Sequence, residues 1–375
     1  MKNVSVLGAG MVGRAIARDL NYKFNVTSYD IDPKNLKELD IYNIKSQVLD
    51  LSDIANIIKA IENADIVVNA TPGFMGFNTL KTIIKSKRNV IDISFFPEDA
   101  LELDELAKEN GITAIVDIGV APGISNFLLG FHNRKMMVND FKCYVGGLPE
   151  LREYPFQYKA PFSPIDVIEE YTRTARFVED GKIISKPAMT DREYLFFDDI
   201  GTLEAFNSDG LRSLIKTINA PNMIEKTLRY PGHIENIILL RDMGFFENKA
   251  INFKGQEINI LDFTSRVLID KWKLKSEDVE FTVMKIIING IENNRPVKYT
   301  YDLYDRTDTL NDVSSMARTT GYTATSVVNL FSDGLFDQKG VFPPENIAIK
   351  DEIYDYIFSY LELRGVHYKL GVEYL

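Results

Sequence analysis

Residues 4–30 read VSVLGAGMVGRAIARDLNYKFNVTSYD, which is an apolar strand, a glycine-rich turn, a helix and a second strand that ends in an acid. Gly8, Gly10 and Gly13 have the G-x-G-x-x-G spacing. The spacing alone is common, but here it follows a predicted strand and opens a predicted helix, which is the context that the motif requires. The segment therefore predicts a strand, helix, strand unit that binds a dinucleotide.

Each glycine of the motif has a physical role. Gly8 permits a sharp turn off the strand, Gly10 lets the backbone approach a pyrophosphate, and Gly13 allows the helix and strand to pack closely. The first N–H groups of the helix then face the phosphates. The other turn residues that we assign to the cofactor site are Ala9, Met11 and Val12.

Asp30 ends the second predicted strand. An acid at this place accepts hydrogen bonds from a ribose 2′-hydroxyl and repels a 2′-phosphate, so it predicts NAD rather than NADP. Asp32 is close enough to compete for the role. The alternative is a glycine-rich turn that binds nothing, with Asp30 in solvent.

Composition narrows the class of protein. The chain has 375 residues, of which 45% are hydrophobic and 26% charged, as in a soluble globular protein of two domains. A net charge of −11 without a Lys/Arg run argues against nucleic-acid or anionic-membrane partners. Cys143 is the only cysteine and there are three histidines, so we expect neither a disulfide nor a metal site. No signal peptide or long apolar run is visible, which predicts a cytoplasmic protein.

Strands alternate with helices through residues 1–125, which predicts a doubly wound parallel sheet, the Rossmann form of the α/β class. Ligands of such sheets bind beyond the carboxyl ends of the strands. Glycine and proline also end strands for local reasons. From this edge we assign to the cofactor site Asp50, Thr71, Pro72, Ser94, Pro122 and Gly123.

The pattern changes at about residue 141. Alternating strand-like segments continue to about residue 309, interrupted by three helical stretches, and predict an antiparallel or mixed sheet with a hairpin turn at 292–295. The tail is helical again. We therefore predict a discontinuous dinucleotide-binding domain, residues 1–125 and 312–375, with an inserted α+β substrate-binding domain at 126–311.

The second domain offers candidates for substrate recognition. SDGLRSL predicts a helix capped by Ser208 or Asp209, with Arg212 in its first turn as a bidentate clamp for a carboxylate. An exposed, unpaired arginine is the alternative. His233 begins a helix whose N-terminus favours a neutral imidazole and proton acceptor, although a capping or core histidine is also consistent.

Three further positions are candidates. Asp117 follows an apolar strand, where it serves either as a base or as a turn cap. Gly146 and Gly147 permit close approach of a ligand or form a bulge. Glu150 follows them as a candidate partner for an amine.

The segments VLGAGMVGRAIARDL, ATPGFMGF, VIDISFFPED, DIGVAPGISN, YVGGLPE, FSPIDVIEEYTRTAR, SDGLRSL and TLRYPGH together resemble the saccharopine dehydrogenase-like family, most closely its lysine 6-dehydrogenase branch. The resemblance covers nearly the whole chain. It implies NAD-dependent oxidation of the ε-amino group of L-lysine to allysine, with release of ammonia and ring closure. It also implies a homodimer in which residues 126–311 supply both the substrate pocket and the dimer contacts.

The resemblance also implies residue roles. One departure is Val145, where saccharopine-forming relatives usually have cysteine, and it favours the lysine branch. The matched cofactor positions are Gly8, Gly10, Gly13, Asp30, Thr71 and Pro72. The positions facing the nicotinamide are Asp117, Pro122 and Gly123, and those in the substrate pocket are Gly146, Gly147, Arg212, Arg229 and His233.

Our mechanistic hypothesis pairs the lysine carboxylate with Arg212 or Arg229 and the α-ammonium with Asp117 or Glu150. His233 or Asp117 then takes the proton of the ε-amine. Two alternatives stay open. One is a saccharopine-type or carboxynorspermidine-type reductase that joins an amine to a carbonyl compound, and the other is a non-catalytic, NAD-binding regulatory protein.

Overall fold

The computed structural model describes residues 1–161, 164–275 and 277–375. The strands are β1 (Asn3–Leu7), β2 (Asn25–Asp30), β3 (Lys45–Val48), β4 (Ile66–Asn69), β5 (Asn89–Asp92), β6 (Thr113–Ile115), β7 (Met137–Pro149), β8 (Ala175–Glu179), β9 (Lys182–Lys186), β10 (Glu193–Phe197), β11 (Gly201–Asn207), β12 (Asn222–Arg229), β13 (Ala250–Phe253), β14 (Gln256–Asn259), β15 (Glu280–Glu292), β16 (Arg295–Arg306), β17 (Gly340–Phe342) and β18 (Tyr368–Tyr374). The helices are α1 (Met11–Leu20), α2 (Pro33–Lys37), α3 (Ile54–Ile61), α4 (Gly73–Lys85), α5 (Asp104–Glu109), α6 (Ile124–Asn133), α7 (Pro164–Thr172), α8 (Leu214–Thr217), α9 (His233–Asp242), α10 (Ile260–Trp272), α11 (Ser315–Ser332), α12 (Pro344–Ile347) and α13 (Asp351–Glu362).

The first sheet has seven parallel strands in the order β17, β6, β5, β4, β1, β2, β3. Its central strands are buried and nearly continuously apolar, as expected for a parallel sheet covered by helices on both faces. The strand order reverses between β1 and β4, which is where such sheets bind ligands. The prediction of a doubly wound parallel sheet is confirmed.

The second sheet has nine strands and is mixed. Its main path runs β10, β11, β12, β7, β15, β16, β18, with β8 and β9 attached at β12. Strand β12 is parallel to β7, whereas the other described pairs of this sheet are antiparallel. The predicted hairpin is present, since β15 ends at Glu292 and β16 begins at Arg295.

The C-terminal segment contributes to both sheets. Helix α11 packs against α1, and β17 pairs with β6 of the first sheet. Strand β18, which was not predicted, pairs instead with β16 at the edge of the second sheet. The assignment of 312–375 to the first domain therefore does not extend to β18, and the exact domain boundaries stay predictions.

No helix in the described part of the chain is both long enough and apolar enough to cross a membrane.

Candidate active site

A cleft of about 1620 Å³ runs between the two sheets. One wall consists of the loops that follow β1, β4, β5 and β6. The other consists of residues from β7, β12, α10 and α11 and from the end of α7. The cleft is larger than a typical small-ligand site, so it has room for a dinucleotide and a second molecule.

The glycine turn has the close packing that its spacing predicts. Gly8 has φ +100°, and a Cβ on it would overlap the backbone of Ala70. A Cβ on Gly13 would overlap the carbonyl oxygen of Gly8. At Gly10, by contrast, no atom lies within 4 Å of the position of a Cβ, and this open side belongs to the cleft. The turn therefore leaves space for a phosphate beside Gly10 and the N-terminus of α1.

Asp30 lines the same end of the cleft. Its carboxylate accepts hydrogen bonds from the backbone N–H of Ala9, at 2.6 Å, and of Asp32, at 2.8 Å. The Asp32 carboxylate instead caps α2 by accepting the N–H of Lys34. Asp30 is thus fixed in place beside the glycine turn, whereas Asp32 has a capping role.

A buried polar network joins the loops after β4 and β5. Asp92 accepts hydrogen bonds from Nδ2 of Asn69, at 2.6 Å, and from the N–H of Ser94, at 2.7 Å. The Ser94 hydroxyl donates to the carbonyl oxygen of Thr71. Burial raises the pKa of Asp92 to about 8. This network holds Thr71 and Ser94, two cofactor candidates, at the edge of the cleft.

Asp117 and Arg212 form a buried ion pair between the two domains. Nε and Nη2 of Arg212 each lie 3.3 Å from a carboxylate oxygen of Asp117. Nη1 of Arg212 donates to the carbonyl oxygen of Phe96, at 2.7 Å, and its guanidinium lies 5.0 Å from the ring centre of Phe95. Asp117 lines the cleft, whereas Arg212 lies behind it.

The predicted helix around Arg212 is wrong. Helix α8 begins only at Leu214, and Arg212 precedes it with φ +53°. Asp209 does not cap that helix but accepts hydrogen bonds from Nε and Nη2 of Arg176, at 2.8 and 2.9 Å. The ion pairs with Asp117 and Arg176 thus replace the local capping contacts that the sequence suggested.

Arg229, Tyr171 and His233 form a buried hydrogen-bonded chain. Nε of Arg229 donates to the Tyr171 hydroxyl, at 3.0 Å, and that hydroxyl lies 2.9 Å from Nε2 of His233. Nδ1 of His233 lies 2.8 Å from the carbonyl oxygen of Phe156, so Nδ1 carries the proton and Nε2 accepts from Tyr171. Arg229 also pairs with Glu170, at 2.7 Å.

His233 is a core histidine in this arrangement. It is fully buried and does not line the cleft. Burial, with a smaller contribution from Arg229, lowers the pKa of His233 to about 3. The hypothesis that His233 is the base therefore has no geometric support.

The other predicted site residues divide into two sets. The Glu150 carboxylate forms an ion pair with Arg306 rather than facing the cleft. The predicted residues that line the cleft are Gly8, Gly10, Met11, Val12, Gly13, Asp30, Asp50, Thr71, Pro72, Ser94, Asp117, Pro122, Gly146, Gly147 and Arg229. Those outside its lining are Ala9, Gly123, Glu150, Arg212 and His233.

Among the charged cleft residues that were not predicted, two have a buried side-chain atom without a hydrogen-bond partner in the described part of the chain. Glu225 on β12 is buried, and its Oε2 has no hydrogen-bond partner among the described residues. Burial, and next the nearby Glu170 carboxylate, raise the pKa of Glu225 to about 8. Arg173, just after α7, has a buried Nη1 atom that likewise lacks a partner in the described part of the chain.

A sequence signal existed for Glu225 but not for Arg173. Alternate residues of a strand face the same side, and Glu225, Thr227 and Arg229 all line the cleft. With Arg229 assigned to the pocket, the two-residue period of a strand would also have indicated Glu225, although that prediction was not made. Arg173 follows the last helical residue, where no periodicity fixes the direction of a side chain.

Comparisons with known proteins identify two matching domains. Residues 4–115 match the saccharopine dehydrogenase NADP binding domain, and residues 119–366 match the saccharopine dehydrogenase C-terminal domain. The saccharopine dehydrogenase (NADP(+), L-glutamate-forming) of Pyricularia oryzae is 26% identical over 305 residues, covering 77% of this chain and 67% of that protein. The Saccharomyces cerevisiae protein of the same name is 29% identical over 265 residues, covering 66% of this chain and 59% of that protein.

The fold has a solved counterpart. The apo saccharopine dehydrogenase (L-Glu forming) of Saccharomyces cerevisiae superposes with a TM-score of 0.80 and 22% identity, and the match covers 100% of both chains. That likeness establishes the fold, and the two matching domains together span nearly all of this sequence. The chain belongs to the saccharopine dehydrogenase family.

Proposed function

We propose that this protein is a nicotinamide-dinucleotide-dependent oxidoreductase that acts on the C–N bond of an amino-acid-derived secondary amine, as a saccharopine-type dehydrogenase does. The observation that carries the proposal is the continuity of one cleft from the glycine turn, past Asp117, to Glu225 and Arg173. A dinucleotide in the turn would place its nicotinamide toward the end of the cleft that is lined by Asp117, Glu225 and Arg173, which we call the charged end. The names of the family relatives supply the reaction class.

In the oxidative direction the reaction splits the substrate at the bond between carbon and nitrogen. A dinucleotide held at the glycine turn would supply the two-electron acceptor for the hydride that leaves the carbon next to the substrate nitrogen. The nitrogen loses its proton, water adds to the resulting C=N bond, and the bond between carbon and nitrogen breaks. The products are a carbonyl compound and an amine, which is L-glutamate when saccharopine is the substrate.

Asp117 is the residue that we assign to proton transfer. It lines the cleft next to the Pro122 loop, and Arg212 fixes the direction of its carboxylate. A base needs such a fixed position within reach of the proton that it accepts. Arg212 acts through Asp117, so we propose it as a positioning residue rather than as a carboxylate clamp.

For the cofactor we propose NAD. The Asp30 carboxylate is fixed where a ribose 2′-hydroxyl would lie and would repel a 2′-phosphate. Arg14, which follows the last glycine of the turn, is already paired with Glu38, at 2.9 Å. The names of the fungal relatives specify NADP, so the choice of cofactor is a point on which this chain is proposed to differ from them.

A second candidate is removal of ammonia from the primary ε-amine of lysine. The observation in its favour is that acidic residues outnumber Lys and Arg in the lining of the cleft. Saccharopine carries three carboxylates and lysine one, so an acidic cleft disfavours the larger substrate. Both candidates oxidise the same carbon of a lysine skeleton and differ in the group that leaves.

One experiment separates these functions. The purified protein is incubated with NAD or NADP and with saccharopine or L-lysine, and reduced cofactor, L-glutamate and ammonia are quantified. We expect saccharopine to yield L-glutamate in equal amount to reduced cofactor. Ammonia formed from lysine alone would establish the second candidate, and cofactor binding without turnover of either compound would establish a non-catalytic protein.

A further inference from the structure

We propose that Glu225 binds the cationic amino group, and Arg173 the carboxylate, of one zwitterionic amino-acid group of the substrate. This proposal rests on the proposed function, because it assumes an amino-acid substrate in the charged end of the cleft. It adds the residues that recognise that group. It replaces the hypothesis from the sequence, in which Arg212 or Arg229 binds the carboxylate and Asp117 or Glu150 binds the ammonium.

Glu225 lines the cleft and has a carboxylate oxygen that accepts no hydrogen bond from the described residues. The residue is 5% exposed, and the described part of the chain contains no ion pair to it. A Cβ on Gly210 would overlap Oε1 of Glu225, so the missing side chain at 210 makes room for this carboxyl group. Buried polar atoms normally have partners, so the unpaired Oε2 indicates a ligand that supplies a donor.

Arg173 offers the complementary charge. Nη2 of its guanidinium contacts the partly exposed Glu169 at 3.4 Å, and the guanidinium lies 4.7 Å from the ring centre of Phe95. Its Nη1 is buried without a partner among the described residues. An arginine fixed on an aromatic face with free N–H groups is well suited to a carboxylate.

The neighbouring charges are already paired. Arg212 binds Asp117, Arg176 binds Asp209, and Arg229 binds Glu170. If one of these arginines bound the substrate instead, its buried carboxylate partner would lose its counter-charge, which is unfavourable in free energy. Glu225 and Arg173 are the cleft residues in which the described part of the chain leaves a buried carboxylate oxygen and a buried guanidinium nitrogen unpaired.

The surroundings of Glu225 support an ammonium ligand. Burial raises the pKa of Glu225 to about 8, with further increases from Glu170 and Asp209 and a decrease from Arg212. The free protein therefore holds a proton on Glu225 at neutral pH. An ammonium group placed against this carboxyl favours its ionised form and compensates the buried charge.

The test uses protein loaded with reduced cofactor, so that ligands bind without turnover. Dissociation constants are measured by calorimetry for L-lysine, for 6-aminohexanoate, which lacks the α-amine, and for 1,5-diaminopentane, which lacks the carboxylate. The unmodified protein is expected to bind lysine about 30-fold more tightly than either analogue, the effect of one buried charge contact. The variants are Glu225→Gln and Arg173→Met.

We expect Glu225→Gln to lose the preference for lysine over 6-aminohexanoate and to keep its preference over 1,5-diaminopentane. Arg173→Met should show the reverse pattern. The matched control is Glu280→Gln, because Glu280 is also a buried glutamate with an unpaired Oε2 but does not line the cleft. It should keep both preferences.

Two outcomes would overturn the proposal, namely full discrimination against 6-aminohexanoate in Glu225→Gln or against 1,5-diaminopentane in Arg173→Met. If Glu225→Gln does not fold, Glu225→Asp replaces it, since the shorter side chain keeps the charge but cannot reach the same contact. Failure of the proposed function is distinguishable, because it is read from the absence of saccharopine turnover with NAD or NADP, whereas the two binding preferences test this proposal.

Discussion

Arg212 donates two hydrogen bonds of 3.3 Å to the carboxylate of Asp117, and both residues have φ +53°. Non-glycine residues rarely adopt this conformation, which costs on the order of 1–2 kcal/mol for each. The strained backbone at both ends of one ion pair indicates that its geometry is maintained for a purpose. Here the pair fixes a cleft carboxylate from the opposite domain.

We expect Arg212→Met to lower the free energy of unfolding by about 3–5 kcal/mol, because it leaves the buried Asp117 carboxylate without its counter-charge. Asp117→Asn should lower the free energy of unfolding by a smaller amount. Its amide oxygen still accepts a hydrogen bond from Arg212, and Arg212 keeps its hydrogen bond to Phe96. Urea unfolding of the three proteins measures the difference. Equal stability of Arg212→Met and the unmodified protein would show that the pair is not buried as described.

Two glycines of the turn have different roles, since Gly10 leaves space for the cofactor and Gly13 allows close packing. Gly10→Ala should change the free energy of unfolding by no more than about 1 kcal/mol, since the Cβ position is open. The methyl group would occupy the space of the pyrophosphate, so we expect the dissociation constant for NADH to rise at least about tenfold. Urea unfolding and fluorescence titration with NADH measure the two effects.

Gly13→Ala is the matched comparison. Its Cβ would overlap the carbonyl oxygen of Gly8, so we expect destabilisation by about 1–3 kcal/mol through overpacking. If the two variants lose stability equally, the assignment of packing to Gly13 and binding to Gly10 is incorrect.

The first sheet was predictable because its determinants are local. The strand, turn and helix of residues 4–30 are adjacent in sequence, and the three glycines fix their packing directly. Strand β18 was missed although its sequence, YKLGVEY, alternates apolar residues with polar residues or glycine, as a strand does, and almost all of its residues are exposed at the edge of the sheet. Its pairing with β16 depends on the rest of the fold.

The site was only partly predictable for a related reason. Arg212 contacts Asp117 and Phe96, which are about a hundred residues away in the chain, so its conformation depends on how the domains meet. The local pattern suggested a helix instead. His233 does begin a helix, as predicted, but its burial depends on Tyr171 and Phe156, which no local pattern reports.

The choice of cofactor can be tested at Asp30. We expect the unmodified protein to have a higher kcat/KM with NAD than with NADP. In Asp30→Asn the ratio of the two kcat/KM values should fall about tenfold. Asparagine keeps an acceptor for the N–H of Ala9 but no longer repels a 2′-phosphate. The control is Asp53→Asn, at the cap of α3 and outside the cleft lining, which should keep the ratio. A preference of the unmodified protein for NADP would contradict the prediction.

His233 should affect stability rather than the acid–base chemistry. Its pKa in the folded protein, about 3, is below the ordinary value of 6.5, so the unfolded chain binds the extra proton first. Stability is therefore lost as the pH falls from 6.5 toward 3. We expect His233→Gln to lower the free energy of unfolding at neutral pH and to weaken this acid dependence.

Steady-state kinetics supply the decisive measurement for His233. If His233 is a core residue, the acidic limb of the kcat/KM profile keeps its pKa in His233→Gln. Disappearance of that limb would restore His233 as the base.

Glu280 gives the opposite pH dependence. Burial raises its pKa to about 8 from an ordinary value of 4.5, and its carboxyl accepts the N–H of Met316 at the start of α11. The folded protein therefore keeps a proton that the unfolded chain releases. Its contribution to stability is full below pH 4.5 and is lost as the pH rises through about 8, by at most roughly 1.4 kcal/mol per pH unit.

Glu280→Gln keeps the acceptor for Met316 but cannot ionise. We expect the variant to gain stability relative to the unmodified protein as the pH rises from 4.5 to about 8, and the difference to stay constant above that range. Urea unfolding across this pH series measures the change. A difference independent of pH would mean that Glu280 ionises with its ordinary pKa in the folded protein, and that solvent reaches a carboxyl group described here as fully buried.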